Sequence, residues 1–280
     1  LIGKVAIVVK ASDDALQASY ELQRWLEDRS VAVEIYANVS ETIEWSSGPE
    51  SFPEDTDLIV VLGGDGTLLS AARHVSGKTA AVLGVNLGRL GFITEINLDG
   101  LYRMMELTLE GKYVCEERIM LRGAVYRNGK EIYSSRALND LVINKGALAR
   151  IIDMEVRVNG HFLNVYRADG LILCTPTGST AYNMAAGGPI LHPTIQSIVL
   201  TPICPFVLTN RPIILPAEST IDVEIGPEAR DIYLTFDGQV GFDLSPKDMV
   251  RVERAENGVC LIKSPHSDYF EVLRNKLKWG

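Results

Sequence analysis

Continuous apolar runs alternating with amphipathic stretches fill the first third of the chain. Val5 to Val9 has the length and composition of a buried strand. Ser12 follows as a candidate helix N-cap, with Asp13 and Asp14 in the first turn, where carboxylates complement the exposed N–H groups. Ala15, Leu22 and Leu26 share one helical face, and Val31 to Tyr36 reads as the next strand. Leu58 to Leu62, a helix from about Thr67 to Val75 and a strand from Ala80 to Val85 repeat the alternation, and a helix over Leu101 to Glu110 closes it. Apolar runs between helices predict a parallel sheet covered on both faces.

Beyond Gly111 the period changes to two. Met154, Val156 and Val158 alternate with Glu155, Arg157 and Asn159, and Ile221, Val223 and Ile225 alternate with Asp222 and Glu224, the mark of half-buried strands. Asn128-Gly129, Asn159-Gly160, Asp237-Gly238 and Asn257-Gly258 signal hairpins, because such pairs tolerate the positive φ of a type I′ turn. The expected fold is therefore an α/β, Rossmann-like N-terminal domain with a parallel sheet, residues 1–112, and a mainly antiparallel β-rich C-terminal domain, residues 113–265. A helical tail, 266–280, is expected to pack back on the first domain. Glu41 to Asp57, acidic and bearing Pro and Gly with Trp45 and Phe52 as isolated aromatics, reads as a long surface loop and a candidate lid.

The length of 280 residues, at about 150 per domain, agrees with two domains. A formal charge of -9 opposes wholesale binding to nucleic acid, so any phosphate site must be local. Cys115, Cys174, Cys204 and Cys260 lie far apart with no CxxC spacing, which suggests neither a zinc site nor a disulfide framework and favours reduced thiols in a cytoplasmic protein. Val5 to Val9 is too short for a signal core. Pro202 and Pro205 break Ile198 to Leu208 well short of the roughly 20 residues of a membrane span. His74, His161, His192 and His266 fall outside the motifs below and are read as structural.

Gly63-Gly64-Asp65-Gly66-Thr67 stands directly after a buried strand and before a helix. Glycines at such a junction admit a ligand close to the backbone, and helix-start N–H groups favour an anion. Gly63, Gly64, Gly66 and Thr67 thus form a candidate cradle for donor phosphates. The run is neither a Walker loop, since no Lys follows, nor a GxGxxG dinucleotide fingerprint. Asp65 is the odd member, because a carboxylate about 4 Å from a phosphate charge is repelled by roughly 4 kcal/mol at an effective dielectric of about 20. It makes sense if a divalent metal lies between it and the phosphates, or if it takes the proton of an attacking hydroxyl. The plain alternative is a solvated carboxylate in an ordinary turn.

Asp169-Gly170 and the strand Leu171 to Cys174 lead into Thr175-Pro176-Thr177-Gly178-Ser179-Thr180-Ala181-Tyr182. Its four hydroxyls offer donors to phosphate or ribose oxygens and Tyr182 offers a ring to a base; otherwise the run is a Ser/Thr turn capping the next helix, which Gly187-Gly188-Pro189 ends. Asn139-Asp140 sits at a strand entrance, where an amide and a carboxylate can grip vicinal ribose hydroxyls, the carboxylate only accepting; alone, it reads as an Asx turn.

Together these residues resemble the NAD kinase family: GGDGT at 63 to 67, Asn139-Asp140, and DG(x)4TPTGSTAY from Asp169 to Tyr182. Asn86-Leu87-Gly88-Arg89-Leu90-Gly91-Phe92, Gly187-Gly188-Pro189-Ile190, Asn210-Arg211-Pro212 and Asp237-Gly238-Gln239 are similar to further segments of that family, in the same order and over nearly the whole chain. GGDGT alone is shared with lipid kinases and phosphofructokinases. The resemblance implies transfer of a phosphoryl group from ATP, or another donor, to the adenosine-ribose 2′-hydroxyl of NAD, with a divalent ion, Mg2+, accompanying ATP and no protein ligand assigned to it. It implies Asp65 as general base. Asp65, Gly66, Asn139, Asp140, Arg150, Arg167, Asp169, Thr180, Ala181, Tyr182, Asn183, Met184, Ala185 and Gln239 would border NAD. It also implies a homodimer or homotetramer. The second position of the Asn-Asp pair is often Glu in the family; Asp140 keeps the charge one methylene shorter. The rival expectations are a lipid or sugar kinase sharing GGDGT, and a non-catalytic NAD(P) sensor, against which the costly charge of Asp65 argues.

Overall fold

The computed structural model describes residues 2–38, 51–75, 80–88, 91–94, 96–147, 150–265 and 268–279. Glu41 to Glu50 with Trp45, Arg89, Leu90 and His266 lie outside the described residues, and with them most of the candidate lid. The chain forms two compact units, Leu1–Glu117 with Asn257–Gly280, and Arg118–Glu256.

In chain order the first unit opens with β1 (Lys4–Lys10), α1 (Asp13–Glu27), β2 (Ala32–Asn38), β3 (Leu58–Gly63), α2 (Asp65–Arg73), β4 (Ala81–Asn86), a two-residue β5 (Ile96–Asn97), α3 (Leu101–Leu109) and β6 (Val114–Arg118). β1 pairs in parallel with β2 and β3, and β3 with β4. Every residue of β3 and β4 is buried, which is why these strands read as unbroken apolar runs. Ala15, Ala18, Leu22 and Leu26 of α1 complete the core around Val5, Ile7 and Val60. Ser12 takes the N-cap position with extended backbone but makes no side-chain capping bond. Phe52, expected on a surface loop, is buried and meets the Tyr36 ring edge-on with centroids 5.4 Å apart; an isolated aromatic in a polar stretch was an anchor.

The second unit runs through β7 (Leu121–Arg127), β8 (Lys130–Ala137), β9 (Asp140–Lys145), β10 (Ile152–Val158), β11 (His161–Ala168), β12 (Gly170–Cys174), a 3-10 turn (Thr177–Thr180) and the single-turn α4 (Tyr182–Ala185). It continues with β13 (Ser197–Ile203), β14 (Ile213–Pro216), β15 (Ile221–Ile225), β16 (Ile232–Phe236), β17 (Val240–Leu244) and β18 (Met249–Arg254). Two six-stranded sheets result, ordered β11-β10-β15-β18-β7-β8 and β14-β13-β12-β9-β16-β17. Met154, Val156, Val223 and Val250 from the first sheet share one core with Leu141, Leu171, Leu200 and Phe236 from the second. The period of two thus turns apolar residues onto one inner face. Asn128-Gly129, Asn159-Gly160 and Asp237-Gly238 all take positive φ and join β7 to β8, β10 to β11 and β16 to β17.

The chain then returns to the first unit as β19 (Val259–Lys263) and α5 (Tyr269–Leu277), which is capped by the Asp268 carboxylate. β19 completes the sheet as β2-β1-β3-β4-β19-β6, with β5 on β4, and runs parallel to β4 with Cys260 opposite Ala81. Asn257-Gly258 is accordingly not a hairpin. Neither residue has positive φ, and the strands on either side belong to different sheets. Cys115 and Cys260, far apart in sequence, are brought side by side on the neighbouring strands β6 and β19, with Cα atoms 5.6 Å apart across 145 residues. Sequence spacing carries no trace of a pair made by tertiary neighbours.

Candidate active site

β3 ends at Gly63, and Gly64, with extended backbone, is the N-cap of α2. A Cβ at Gly63 would lie 2.4 Å from Thr67 Oγ1, whereas one at Gly64 would meet nothing within 4 Å. The first glycine therefore lets the helix start close on the strand, and the second leaves open space beside the N-cap, an arrangement that suits phosphate. Thr67 is buried and Gly66 exposed.

Asp65, the first residue of α2, is no solvated turn carboxylate. Its Oδ2 accepts from Phe92 N–H at 2.8 Å, and its Oδ1 accepts from Thr94 N–H at 3.1 Å, Ile93 N–H at 3.4 Å and the Thr94 hydroxyl at 2.7 Å. Asn86 Nδ2 donates to Thr94 Oγ1 at 2.8 Å, and Gly88 N–H donates to Asn86 Oδ1 at 2.8 Å. A Cβ at Gly91 would fall 1.8 Å from Asp65 Oδ1, so only glycine lets this loop close over the carboxylate. Of the two oxygens, Oδ1 carries three bonds from described residues and Oδ2 one, which leaves acceptor capacity on Oδ2.

In the second unit a cavity of about 560 Å³ is lined by Asn139, Asp140, Val142, Asn144, Lys145, Ala181, Tyr182, Tyr233, Thr235, Asp237 and Gly238. Its Asn139-Asp140 rim is clamped from two sides. The Asp237 carboxylate accepts from the backbone N–H groups of Leu138, Asn139 and Asp140 at 3.2, 2.7 and 3.2 Å. On the other side Thr175 N–H donates to the Asn139 carbonyl at 2.9 Å and the Thr175 hydroxyl to the Leu138 carbonyl at 2.6 Å. Gly178 lies so close that a Cβ would come within 2.2 Å of the Asn139 carbonyl oxygen. Asp140 is 4% exposed; burial, and next the charge of Asp237, push its carboxyl up to about 7. A carboxyl with both forms populated near neutrality can donate in its protonated form as well as accept in its ionised one.

The hydroxyls of the TPTGSTAY run mostly turn inward. Ser179 donates to the Pro176 carbonyl and Thr180 to the Thr177 carbonyl, while the Thr177 hydroxyl accepts from Arg118. Asn183, fully buried, accepts from Thr201 at 2.6 Å and donates to the Ser179 and Pro189 carbonyls. These groups build the turn that presents Ala181 and Tyr182, the latter 42% exposed, to the cavity. Thr180, Asn183, Met184, Ala185, Arg150, Arg167 and Gln239 do not line it. Arg167 lies 3.8 Å from Asp153, and Asp169 lies 3.7 Å from Nζ of the cavity residue Lys145. Thr94, Asn144, Lys145, Tyr233 and Thr235 are site residues that sequence reasoning missed, while Asn86 and Asp237 were named only within family-like segments, with no role. Asp237 carried a signal as half of a turn pair and as part of a family-like segment, but its hold on the N–H groups was hidden, since these lie almost 100 residues earlier.

Comparison with known proteins finds relatives for both halves of the chain. Residues 5–113 match the family model of the ATP-NAD kinase N-terminal domain, and residues 138–264 that of the ATP-NAD kinase C-terminal domain. The chain is 52% identical over 278 residues to an NAD kinase of Syntrophobacter fumaroxidans, covering 99% of this chain and 98% of the relative. It is 50% identical over 279 residues to one of Geobacter metallireducens, covering 99% of each. Among solved structures, yeast NADH kinase complexed with NADH matches with a TM-score of 0.87 at 26% identity, over 100% of this chain and 89% of that one. An NAD kinase from Archaeoglobus fulgidus in complex with ATP matches with a TM-score of 0.77 at 25% identity, over 98% of each.

Proposed function

The chain belongs to the NAD kinase family, and from that premise we propose how its residues move a phosphoryl group from ATP to the adenosine-ribose 2′-hydroxyl of NAD. The observation that carries this reading is the Asp65 carboxylate, held by four hydrogen bonds in the first turn of a helix whose N-cap is a glycine, with capacity left on Oδ2. The 2′-oxygen attacks the γ-phosphorus, the bond from that phosphorus to the leaving ADP oxygen breaks, and the 2′-hydroxyl proton passes to Asp65. Such a reaction asks mainly for positioning and charge neutralisation, so one carboxylate of modest basicity suffices. Gly63, Gly64, Gly66 and Thr67 are the proposed cradle for the donor phosphates.

Asn139 and Asp140 take the ribose hydroxyls of NAD in this reading, with Ala181 and Tyr182 on the adenine side and Asp169, through Lys145, at the border. Asn139, Asp140, Lys145, Thr235 and Asp237 offer partners to sugar hydroxyls, beside Val142, Ala181 and the rings of Tyr182 and Tyr233, which suit a base. Among the described residues no group of three or more His, Cys, Asp and Glu side chains is placed to hold a metal ion, and no protein ligand is assigned to one. The divalent ion, Mg2+, comes as part of the ATP substrate. No helix of the described residues is long and apolar enough to cross a membrane. We place the enzyme in the cytoplasm, where both substrates are made, and as a homodimer or homotetramer.

The test is NADP formation from NAD or NADH with ATP and other phosphoryl donors, alongside a diacylglycerol as acceptor. Phosphorylation of NAD is expected; product from the diacylglycerol alone, or NAD binding with no product, would replace this reading with a lipid kinase or a sensor.

A further inference from the structure

We propose that Thr94 is a positioning residue for the transfer: its buried hydroxyl, aimed by Asn86, locks Oδ1 of Asp65 and so makes Oδ2 the oxygen that receives the proton. The inference rests on Asp65 being the base and names the part that makes it one.

The hydrogen-bond directions follow from donor and acceptor inventory alone. Gly88 N–H can only donate, so the atom of Asn86 facing it is Oδ1, and the amide nitrogen is thereby turned to Thr94. That nitrogen also can only donate, so it occupies a lone pair of Thr94 Oγ1 and forces the hydroxyl hydrogen elsewhere. The remaining partner is Asp65 Oδ1 at 2.7 Å, which as a carboxylate only accepts. A one-way chain therefore runs from Gly88 N–H through Asn86 and Thr94 to the carboxylate, and no member can reverse without breaking a bond.

The surroundings leave Thr94 no other place. It is fully buried. A Cβ at Gly84 would come 3.1 Å from its methyl, and one at Gly91 2.4 Å from its hydroxyl, so glycine backbone closes on it from β4 and from the loop. Threonine is matched to this slot: its methyl fills the space against β4 while its hydroxyl spans Asn86 and Asp65. With Oδ1 taken by Thr94 N–H, Ile93 N–H and the hydroxyl, the carboxylate has lost its freedom to rotate, and the lone pair left on Oδ2 points in one fixed direction.

Steady-state kinetics of the full chain test this. Thr94→Val keeps the shape and removes the donor; kcat is expected to fall about 10- to 100-fold with KM for NAD and ATP within about 2-fold, and Thr94→Ser to recover to within about 3-fold of the parent. In an Asp65→Asn background, Thr94→Val should cost nothing further, because the group it orients is gone. An equal loss in both backgrounds, a rise in KM in place of a fall in kcat, or failure of Ser to rescue overturns the role of Thr94 while leaving Asp65 as base. Near-normal turnover of Asp65→Asn overturns the base assignment itself. Should Thr94→Val not fold, Thr94→Ser and Asn86→Ala decide: Asn86→Ala releases the hydroxyl, so a lower kcat at unchanged KM supports the chain and an unchanged kcat ends it.

Discussion

At the scale of single residues, two carboxylates do unlike work because their surroundings differ. Asp65 is half-buried and held by four donors, so replacing it removes more than a base. In Asp65→Asn the new NH2 group must face either Phe92 N–H or the donors of Thr94, two donors in opposition. We expect turnover to drop about 10²- to 10⁴-fold and unfolding stability to fall by about 1–3 kcal/mol, while NAD affinity, proposed to rest on the cavity lined by Asn139 and Asp140, stays within about 2-fold. Calorimetric titration with NAD and urea unfolding separate these effects; loss of NAD binding would show that position 65 serves the acceptor directly. Asp140 obeys the opposite balance. Its carboxyl titrates near 7 in the folded chain against 3.8 when unperturbed. Between those values the folded protein keeps a proton that the unfolded chain has released. Stability therefore falls as pH rises through that window, by at most about 1.4 kcal/mol per pH unit, and levels off above it. Asp140→Asn has no charge to bury, so its melting temperature should decline less between pH 4 and 7 and exceed that of the parent at pH 8. Parallel curves for the two proteins would mean that this burial costs nothing.

At the scale of elements, the 3-10 turn Thr177–Thr180 and the entry to β9 are one unit of construction, with Gly178 as the contact. Its backbone fits against the Asn139 carbonyl only because there is no Cβ, which would sit at 2.2 Å. Gly178→Ala should push the turn from β9, weaken NAD binding by about tenfold or more, and lower stability by about 1–3 kcal/mol, the usual cost of overpacking. Fluorescence titration with NADH measures the first and thermal unfolding the second; unaltered affinity would detach the turn from the site. What the sequence disclosed follows the same division between local and distant causes. The strands Lys4–Lys10 and Leu58–Gly63 and the turns at Asn128-Gly129 and Asp237-Gly238 were readable because apolar runs and positive-φ pairs are properties of a few adjacent residues. The pairing of Val259–Lys263 with β4 was not, since its partner lies almost 180 residues earlier, and Asn257-Gly258 supplied a false local sign. At the site, Asp65, Asn139, Asp140, Ala181 and Tyr182 were found as motif members. The inward aim of the Ser179 and Thr180 hydroxyls was hidden, because a hydroxyl that caps a turn and one that meets a ligand look alike in sequence.

At the scale of the whole molecule, the chain leaves the first unit after Glu117 and re-enters it at Asn257, and the neighbouring Cys115 and Cys260 lie within a few residues of the two crossings. The proposal of a homo-oligomer is argued at this scale too. β11 is an edge strand of its sheet, and edge strands left open invite partners. Phe162 and Val165 on it are 57% and 47% exposed, and the segment carrying Phe206 and Leu208, 71% and 85% exposed, is tied beside it by Phe206 N–H to the Arg167 carbonyl and by Asn164 to Asn210 at 3.2 Å. Four large apolar side chains gathered on one edge of a chain with net charge -9 are better explained by a covering subunit than by solvent. Sedimentation velocity should give a dimer or tetramer, and Val165→Asp combined with Leu208→Asp should shift it toward monomer by placing charge where apolar surface was to be buried. If the double variant assembles as the parent does, the subunit contact lies on another face; if the parent itself sediments as a monomer, the apolar edge serves some other partner.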